Sequence, residues 1–430
     1  RNYKRQFAHM YYYRLAALKP IVLANCREYW REVLSSPNQD QPPQATYIPK
    51  VLNVPTMKPC FIIGTVYREM AKKPNVIDDL KTNLHVQMPP KLDKYTGQDD
   101  ELTLEDESGR ITLSGDVLEN KLLVTGVIAG FLGVESDSTF EVLEVCFADL
   151  PGQDNDNIAS NSGFDMSAKY VLLMSGLNIG SSTAKSALWL QTLTTFICGS
   201  NGTLGALDQL SSRIVKVIVA GNSVNIPAVP DGTDKTDIDQ ALDTLDETLS
   251  QWASVTSVDL MPGATDPSTV TLPQQQLHSA LLPRASLARD FRCITNPQHL
   301  DIDGVQLLGV AGQTVDDIVK SCDVASRLVA AEHTLLWRHL SPTSPDTLLS
   351  FPYADSDPFV LEADKCPHIY FVGNQPEFAT SIMRQHNPSP REDMEKESVV
   401  RVVMVPSFAE TGTVALVNLT TLQAHPFKFN

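Results

Sequence analysis

No run in this sequence approaches the ~18 consecutive apolar residues that a helix needs to cross a bilayer, and no signal peptide is visible. No membrane association is expected. Cysteine is sparse. The seven, Cys26, Cys60, Cys146, Cys198, Cys293, Cys322 and Cys366, are odd in number, and none is paired at zinc-finger spacing. That pattern speaks for buried, reduced thiols in an intracellular protein and against a disulfide framework or zinc module. Basic residues are outnumbered, 34 Lys and Arg against 51 Asp and Glu, for a formal net charge of −17. So acidic a chain is repelled by phosphate backbones unless it keeps a local basic patch, which argues against a primary nucleic-acid binder. There is no G-x-S-x-G nucleophile elbow, and no repeat at a fixed period. The nine His residues are scattered, and a lone one such as His333 on a helix reads as structural.

What is present is ample material for a core. The 430 residues, 42% hydrophobic and 20% charged, fit a folded soluble protein of two or more domains. The first residue is Arg1, so the start of the natural chain is expected to lie before it.

Residues 3–34 have a helical pattern, with Phe7, Met10, Tyr11, Leu15 and Leu18 at helix spacing. Pro20 is expected to break this helix and begin a second, whose apolar surface comes from Ile21, Leu23, Tyr29, Trp30 and Val33. These aromatic-rich helices either pack on their own domain or form a partner-docking arm. A Pro-, Gln- and Asn-rich linker over 35–56 leads into a new unit. Strands are predicted at 60–67, 122–130 and 140–148. A hairpin is predicted over 101–115, ELTLEDESGRITLSG, turning at Ser108 and Gly109. Residues 71–100 read as a long loop. Short strands with Gly turns suggest a small OB-type barrel. Its many acids (Glu101, Glu105, Asp106, Glu107) favour a structural barrel over one that grips single strands.

After a polar stretch over 151–165, the chain is organised around residues 170–182, YVLLMSGLNIGSS. Here a buried strand is followed by a tight turn of small residues. Active sites of α/β sheets sit at such turns, yet this one carries no carboxylate, His or Lys before Gly180. A helix at 184–197 follows, with Leu188, Leu193 and Phe196 inward. A glycine loop over 199–205 and a strand at 214–220 come next. An amphipathic helix at 237–252 and a strand at 258–261 complete a parallel unit with right-handed crossovers. Strands at 305–310 and 369–372 flank a helix at 324–338. A charged loop over 386–397 precedes closing strands at 399–405 and 413–419. A P-loop reading of SGLNIGSSTAKS fails, because Ala184 stands where Gly must precede Lys185.

Four strand ends, SGLNIGS, AGNSVN, PGATDP and VGNQPEF, resemble in order and context the metal-binding loops of calcineurin-like phosphoesterases. Enzymes of that family use two cations to align a phosphate and generate a hydroxide. Position by position, the resemblance places Gly176 where the family has Asp and Asn178 where it has His. Asn222 replaces the bridging carboxylate, and Asn225 a supporting Asp. Ala264 and Thr265 take the places of the Asn ligand and the catalytic His. Asp266 survives, Ala311 stands for a later His, and Asn374 and Pro376 replace the last two. Gly, Ala and Pro offer no donor, and one Asp cannot hold two cations that repel each other. Asp-Pro is also a plain turn former.

The strings DESGRI, MPGATDP, TLPQQQLH, ITNPQ, SPTSPDTL, SDPF, CPHIYFVGNQPEF and PSF, with the N-terminal RNYKRQFAHMYYYRL, resemble the small, or B, subunits of DNA polymerase delta over nearly the whole chain. This resemblance implies an α/β and β architecture. It has short N-terminal helices at 1–40, an OB-type barrel at 45–150, and at 167–430 a two-sheet calcineurin-like phosphoesterase domain, an α-β-β-α sandwich, inactivated. It implies a non-catalytic scaffold in the nucleus, without metal or other cofactor. The implied partners are the cysteine-rich C-terminal module of the catalytic subunit and the N-terminal domain of a third subunit, with use by the polymerase zeta catalytic subunit as well. DNA would be met only through the complex. The competing expectations are a metal-dependent nuclease or phosphodiesterase, and a single-strand-binding module acting through the barrel.

Overall fold

The computed structural model describes residues 6–34, 45–73, 92–97, 99–153, 168–181, 183–199, 209–225, 235–362, 365–387 and 396–429. The linker over 35–44, the stretch 154–165 and the loop positions 74–91, 200–205 and 388–395 lie outside them. The chain divides into two compact units. One joins Arg1–Pro151 to Thr314–Ala363; the other joins Gly152–Gln313 to Asp364–Asn430. Residues 314–363, placed by the sequence inside a continuous 167–430 segment, thus group with the barrel.

The first unit contains strands β1 (Thr46–Tyr47), β2 (Pro59–Glu69), β3 (Glu101–Glu105), β4 (Arg110–Ser114), β5 (Ile128–Ser136) and β6 (Thr139–Cys146). Their order is β1-β2-β3-β4-β6-β5, and β2 also pairs with β5, which closes the barrel. The β3–β4 hairpin falls where the alternation predicts it. Asp106 holds its turn, accepting from the Ser108 and Gly109 amides at 2.7 and 3.1 Å. The β5–β6 hairpin turns on Asp137 and Ser138, both at positive φ, as a two-residue turn of type I′ requires.

The expected break at Pro20 does not occur. One helix runs Ala8–Tyr29 with Pro20 inside it, and only a four-residue turn of helix, Arg31–Leu34, follows. Met10, Arg14, Leu18, Val22 and Cys26 form a buried stripe at strict four-residue spacing across the proline. An internal Pro costs about 3 kcal/mol or more. Burying a side chain such as Leu18 or Val22 returns about 1.5–3 kcal/mol, and Pro20 itself sits on the exposed face. The helix packs on β2, β5 and β6 through a core that includes Leu18, Val22, Cys26, Phe61, Ile63 and Ile128. Gly130 permits this approach, since a Cβ there would lie 2.4 Å from the Cys26 Sγ. The helix is part of its own domain. Its outer face still exposes Phe7, Tyr12 and Tyr29.

The second unit holds two sheets. The first is β10-β9-β8-β7-β16-β17, built from β7 (Tyr170–Met174), β8 (Ile214–Ala220), β9 (Ser257–Met261), β10 (Phe291–Cys293), β16 (Thr413–Asn418) and β17 (Ala424–Lys428). β7 to β10 are parallel, with β16 and β17 added antiparallel. The second is β11-β12-β13-β15-β14, from β11 (Gln298–Ile302), β12 (Val305–Val310), β13 (Ile369–Gln375), β14 (Ala379–Asn387) and β15 (Lys396–Pro406).

The run of β7 is apolar throughout because both of its faces are covered. Val171 and Leu173 join a core with Leu307, Phe371 and Val403 of the other sheet. Leu172 and Met174 pack with Trp189, Leu193, Leu245, Leu249 and Trp252 from the helices Ala184–Ile197 and Lys235–Ala253. Leu188, expected inward, is 58% exposed. Trp189, four residues before Leu193, is the position in phase with the buried face. Thr183 caps this helix by accepting from the Ser186 amide at 3.2 Å.

Candidate functional site

β7, β8, β9, β12 and β13 bring their carboxyl-end loops to one place. The first two loops extend their strands' pairing. The Gly176 amide donates to the Gly221 carbonyl at 2.9 Å, the Asn178 amide to the Asn222 carbonyl at 3.0 Å, and the Asn225 amide to the Ile179 carbonyl at 3.0 Å. Such bonds continue only if the chain reverses sharply, and Gly176, Asn178, Gly221, Asn222 and Asn374 all have positive φ. Asn is among the few residues with a side chain that visits this region readily, so three of the asparagines have a backbone reason for their places.

Asp266 is the one carboxylate among the ten positions derived from the phosphoesterase resemblance, and it is 7% exposed. Its Oδ1 accepts from the Val224 amide at 2.9 Å and its Oδ2 from the Gly263 amide at 2.8 Å. It thereby ties the loop after β8 to the loop after β9. Burial lifts its carboxyl to about 6, against the pull of the amides around it. Thr265 strengthens the same seam: its amide donates to Asn222 Oδ1 at 3.2 Å and its hydroxyl to the Val224 carbonyl at 2.6 Å.

Asn374 closes the other side. Its Nδ2 donates to the carbonyls of Ala220 and Ala311 at 3.1 and 2.8 Å, and its own amide donates to Ser175 Oγ at 2.8 Å. A Cβ built on Gly176 would stand 2.7 Å from Ser407 Oγ and 2.9 Å from Asn374 Oδ1. The side chain the resemblance asks for at 176 therefore has no room. Ala264 and Pro376 are exposed at the rim.

A donor set for two cations needs several carboxylates and imidazoles with free oxygen or nitrogen atoms. The one carboxylate among these positions spends both oxygens on backbone amides. Among the described residues, no group of three or more His, Cys, Asp or Glu could hold a metal ion. The residues present do not fit a two-cation centre.

Sequence reasoning missed the layer beneath these loops. Asn296 Nδ2 donates to Gln274 Oε1 and Gln313 Oε1 at 2.8 and 3.0 Å, and its Oδ1 accepts from the Ala311 amide at 3.0 Å. Gln274 Nε2 reaches the Gly263 carbonyl at 3.0 Å. This uncharged network fixes the loops after β9 and β12. Its members, Gln274 in TLPQQQLH, Asn296 in ITNPQ and Gln313 after β12, are neutral amides, a residue type that no catalytic pattern singles out.

Two family profiles match the chain: the DNA polymerase delta subunit OB-fold domain over residues 6–145, and the DNA polymerase alpha/epsilon B-subunit over residues 171–380. The DNA polymerase delta small subunit of Arabidopsis thaliana is 36% identical over 435 residues, covering 99% of this chain and 91% of the relative. The chain belongs to the family of DNA polymerase delta small subunits. The rice protein of that name (Oryza sativa subsp. japonica) is 34% identical over 433 residues, 99% of this chain and 93% of its own. That of Saccharomyces cerevisiae is 32% identical over 464 residues, 100% of this chain and 90% of its own. The first match puts an OB-fold domain in the N-terminal part, where the closed barrel stands. The second runs through residues 314–363, so the family segment and the compact unit are not the same stretch.

Proposed function

We propose that this small-subunit family member is a non-catalytic accessory subunit of a DNA polymerase delta assembly, acting as a scaffold in nuclear replication and repair. The observation that carries the reading is the use of Asp266: the lone carboxylate among the ten strand-end positions is a structural clamp between two of the loops. The second unit is read as a calcineurin-like phosphoesterase fold that has lost its site. Two facing sheets, helices against the outer face of the first, and loops gathered at the strand ends support that reading. The family domain boundaries, 45–150 for the OB fold and 167–430 for the phosphoesterase-like part, are proposed with it.

In this role the chain joins the cysteine-rich C-terminal module of the catalytic subunit to the N-terminal domain of a third subunit, and serves polymerase zeta in the same way during translesion synthesis. Loops freed from holding metal can become a packing surface, and exposed aromatics such as Tyr12 and Tyr29 suit binding anchors. The test has two parts. Highly purified chain should show no nuclease or phosphodiesterase turnover with magnesium or manganese; turnover that survives purification and disappears in Asn222→Ala would sink the non-catalytic reading. Co-purification with separately expressed delta subunits should persist in 1 M salt, where charges are screened beyond about 3 Å. Dissociation there would reject an interface dominated by apolar burial.

A further inference from the structure

A groove of about 420 Å³ opens in the first unit between the helix Ala8–Tyr29 and the strands β2 to β4. Tyr11 and Tyr12 of the helix and Tyr67 of β2 give it aromatic walls, while Glu105, Glu107 and Asp346 bring carboxylates. Burial raises the Tyr11 hydroxyl well above its usual range, so that wall stays neutral. Among the described residues that line the groove, Arg110 is the one base.

Two of the chain's own cations already show what this surface selects. Lys73 Nζ lies 5.5 Å from the centroid of the Tyr67 ring, and Arg110 Cζ lies 5.8 Å from it. Each is also held by a groove carboxylate, Lys73 by Asp346 and Arg110 by Glu105. A cation between an aromatic face and a carboxylate thus occurs twice. Tyr12, 62% exposed, and the exposed Glu107 offer the same two groups to a third cation.

We propose that the groove docks an arginine- or lysine-bearing segment of a partner protein, with one cationic side chain set against Tyr12 and Glu107. Charge complementarity and size select this occupant. The carboxylates repel phosphate, which disfavours nucleic acid, and the volume suits one or two side chains of an extended segment. The proposal concerns the first unit alone and does not depend on how the strand-end loops are read.

The experiment uses the full chain and a short fluorescent peptide carrying two arginines, followed by anisotropy at physiological ionic strength. A peptide with glutamates in those places is the probe control. The double variant Tyr12→Ala, Glu107→Gln alters only exposed side chains. Glu410→Gln removes one charge elsewhere and reports on general attraction by the acidic chain. The expected result is saturable binding of the arginine peptide, weakened by about tenfold in the double variant and unchanged within about twofold in Glu410→Gln. Hydrogen exchange should slow over β3 and β4 when the peptide is bound. Absence of saturable binding, equal weakening in both variants, or equal binding of the glutamate peptide would each overturn the proposal.

Discussion

Arg14 and Asp357 lie 343 positions apart and meet at 2.9 Å between Nε and Oδ2, both side chains buried. Three more guanidinium bonds go to main chain: Nη1 donates to the Gly126 and Pro342 carbonyls at 3.2 and 2.7 Å, and Nη2 to the Ser344 carbonyl at 2.8 Å. His339 Nε2 donates to the same carboxylate oxygen at 2.9 Å while its Nδ1 accepts from the Ser341 amide at 3.2 Å, which defines a neutral ring. Burial alone would lift the Asp357 carboxyl, but His339 and Arg14 hold it well below the usual range.

Removing one partner of a buried pair strands the other charge. Arg14→Met is expected to destabilise the first unit by about 3–5 kcal/mol, read as a lower denaturant midpoint. Adding Asp357→Asn should recover part of that loss. A full-sized midpoint in Arg14→Met would show that the pair contributes nothing.

Two buried groups, one in each unit, respond to pH with opposite signs. Burial, aided by Arg14, pushes His339 down to about 4 from an ordinary 6.5. The unfolded chain therefore binds this proton first, and the histidine's stability contribution, complete above pH 6.5, is lost as pH falls towards 4. Asp266 is raised to about 6, so its contribution is present below its ordinary pKa of about 3.9 and is lost as pH rises through 6. Stability measured between pH 4 and 6 should fall less steeply towards acid in His339→Gln and more steeply in Asp266→Asn. The latter also loses an acceptor for one of two buried amides, at about 1–3 kcal/mol.

Placing a carboxylate at position 176 is expected to create no metal centre. Gly176→Asp places a Cβ against Ser407 and Asn374 on backbone at φ +62°. Loss of at least about 1 kcal/mol of stability is expected, with no phosphodiesterase turnover. A stable variant that gains metal-dependent turnover would contradict the closed packing of these loops.

Isolated chain should bind DNA no more tightly than the non-specific range of about 10⁻⁴ M at physiological salt. The net charge of −17 and the acidic β3–β4 hairpin motivate this. Submicromolar affinity with a steep salt slope, seen in a filter-binding titration, would reveal a basic surface on the barrel.

Much of this was legible in the residues. β7 announces itself because a strand covered on both faces leaves an unbroken apolar run, β8 and β9 because theirs are interrupted only by Lys216 and Asp259, which pair with each other, and the β3–β4 hairpin because one face is wet. β14 could not be read: ATSIMRQHN pairs with β15 alone, and its half-buried positions carry Thr380, Ser381, Met383 and Gln385 while the apolar Ile382 is exposed, so residue type does not mark the covered face. The continuity of the first helix over Pro20 depends on a barrel surface that only folding assembles. At the strand ends, residue types alone showed one carboxylate and no imidazole among the ten positions. That Asn374 bridges Ala220 and Ala311, and that Asp266 clamps two loops, rests on contacts spanning up to 154 positions, beyond local pattern.

The division of the first unit between residues 1–151 and 314–363 bears on how the protein is made. Synthesis proceeds from the N-terminus at roughly 5–20 residues per second. The barrel and its helix emerge long before Asp357, and until then the Arg14 guanidinium lacks its carboxylate. The first unit is thus the first begun and cannot be finished until most of the second has left the ribosome. A stalled or truncated product ending near residue 313 carries every barrel strand and still lacks the anion its helix was built to meet.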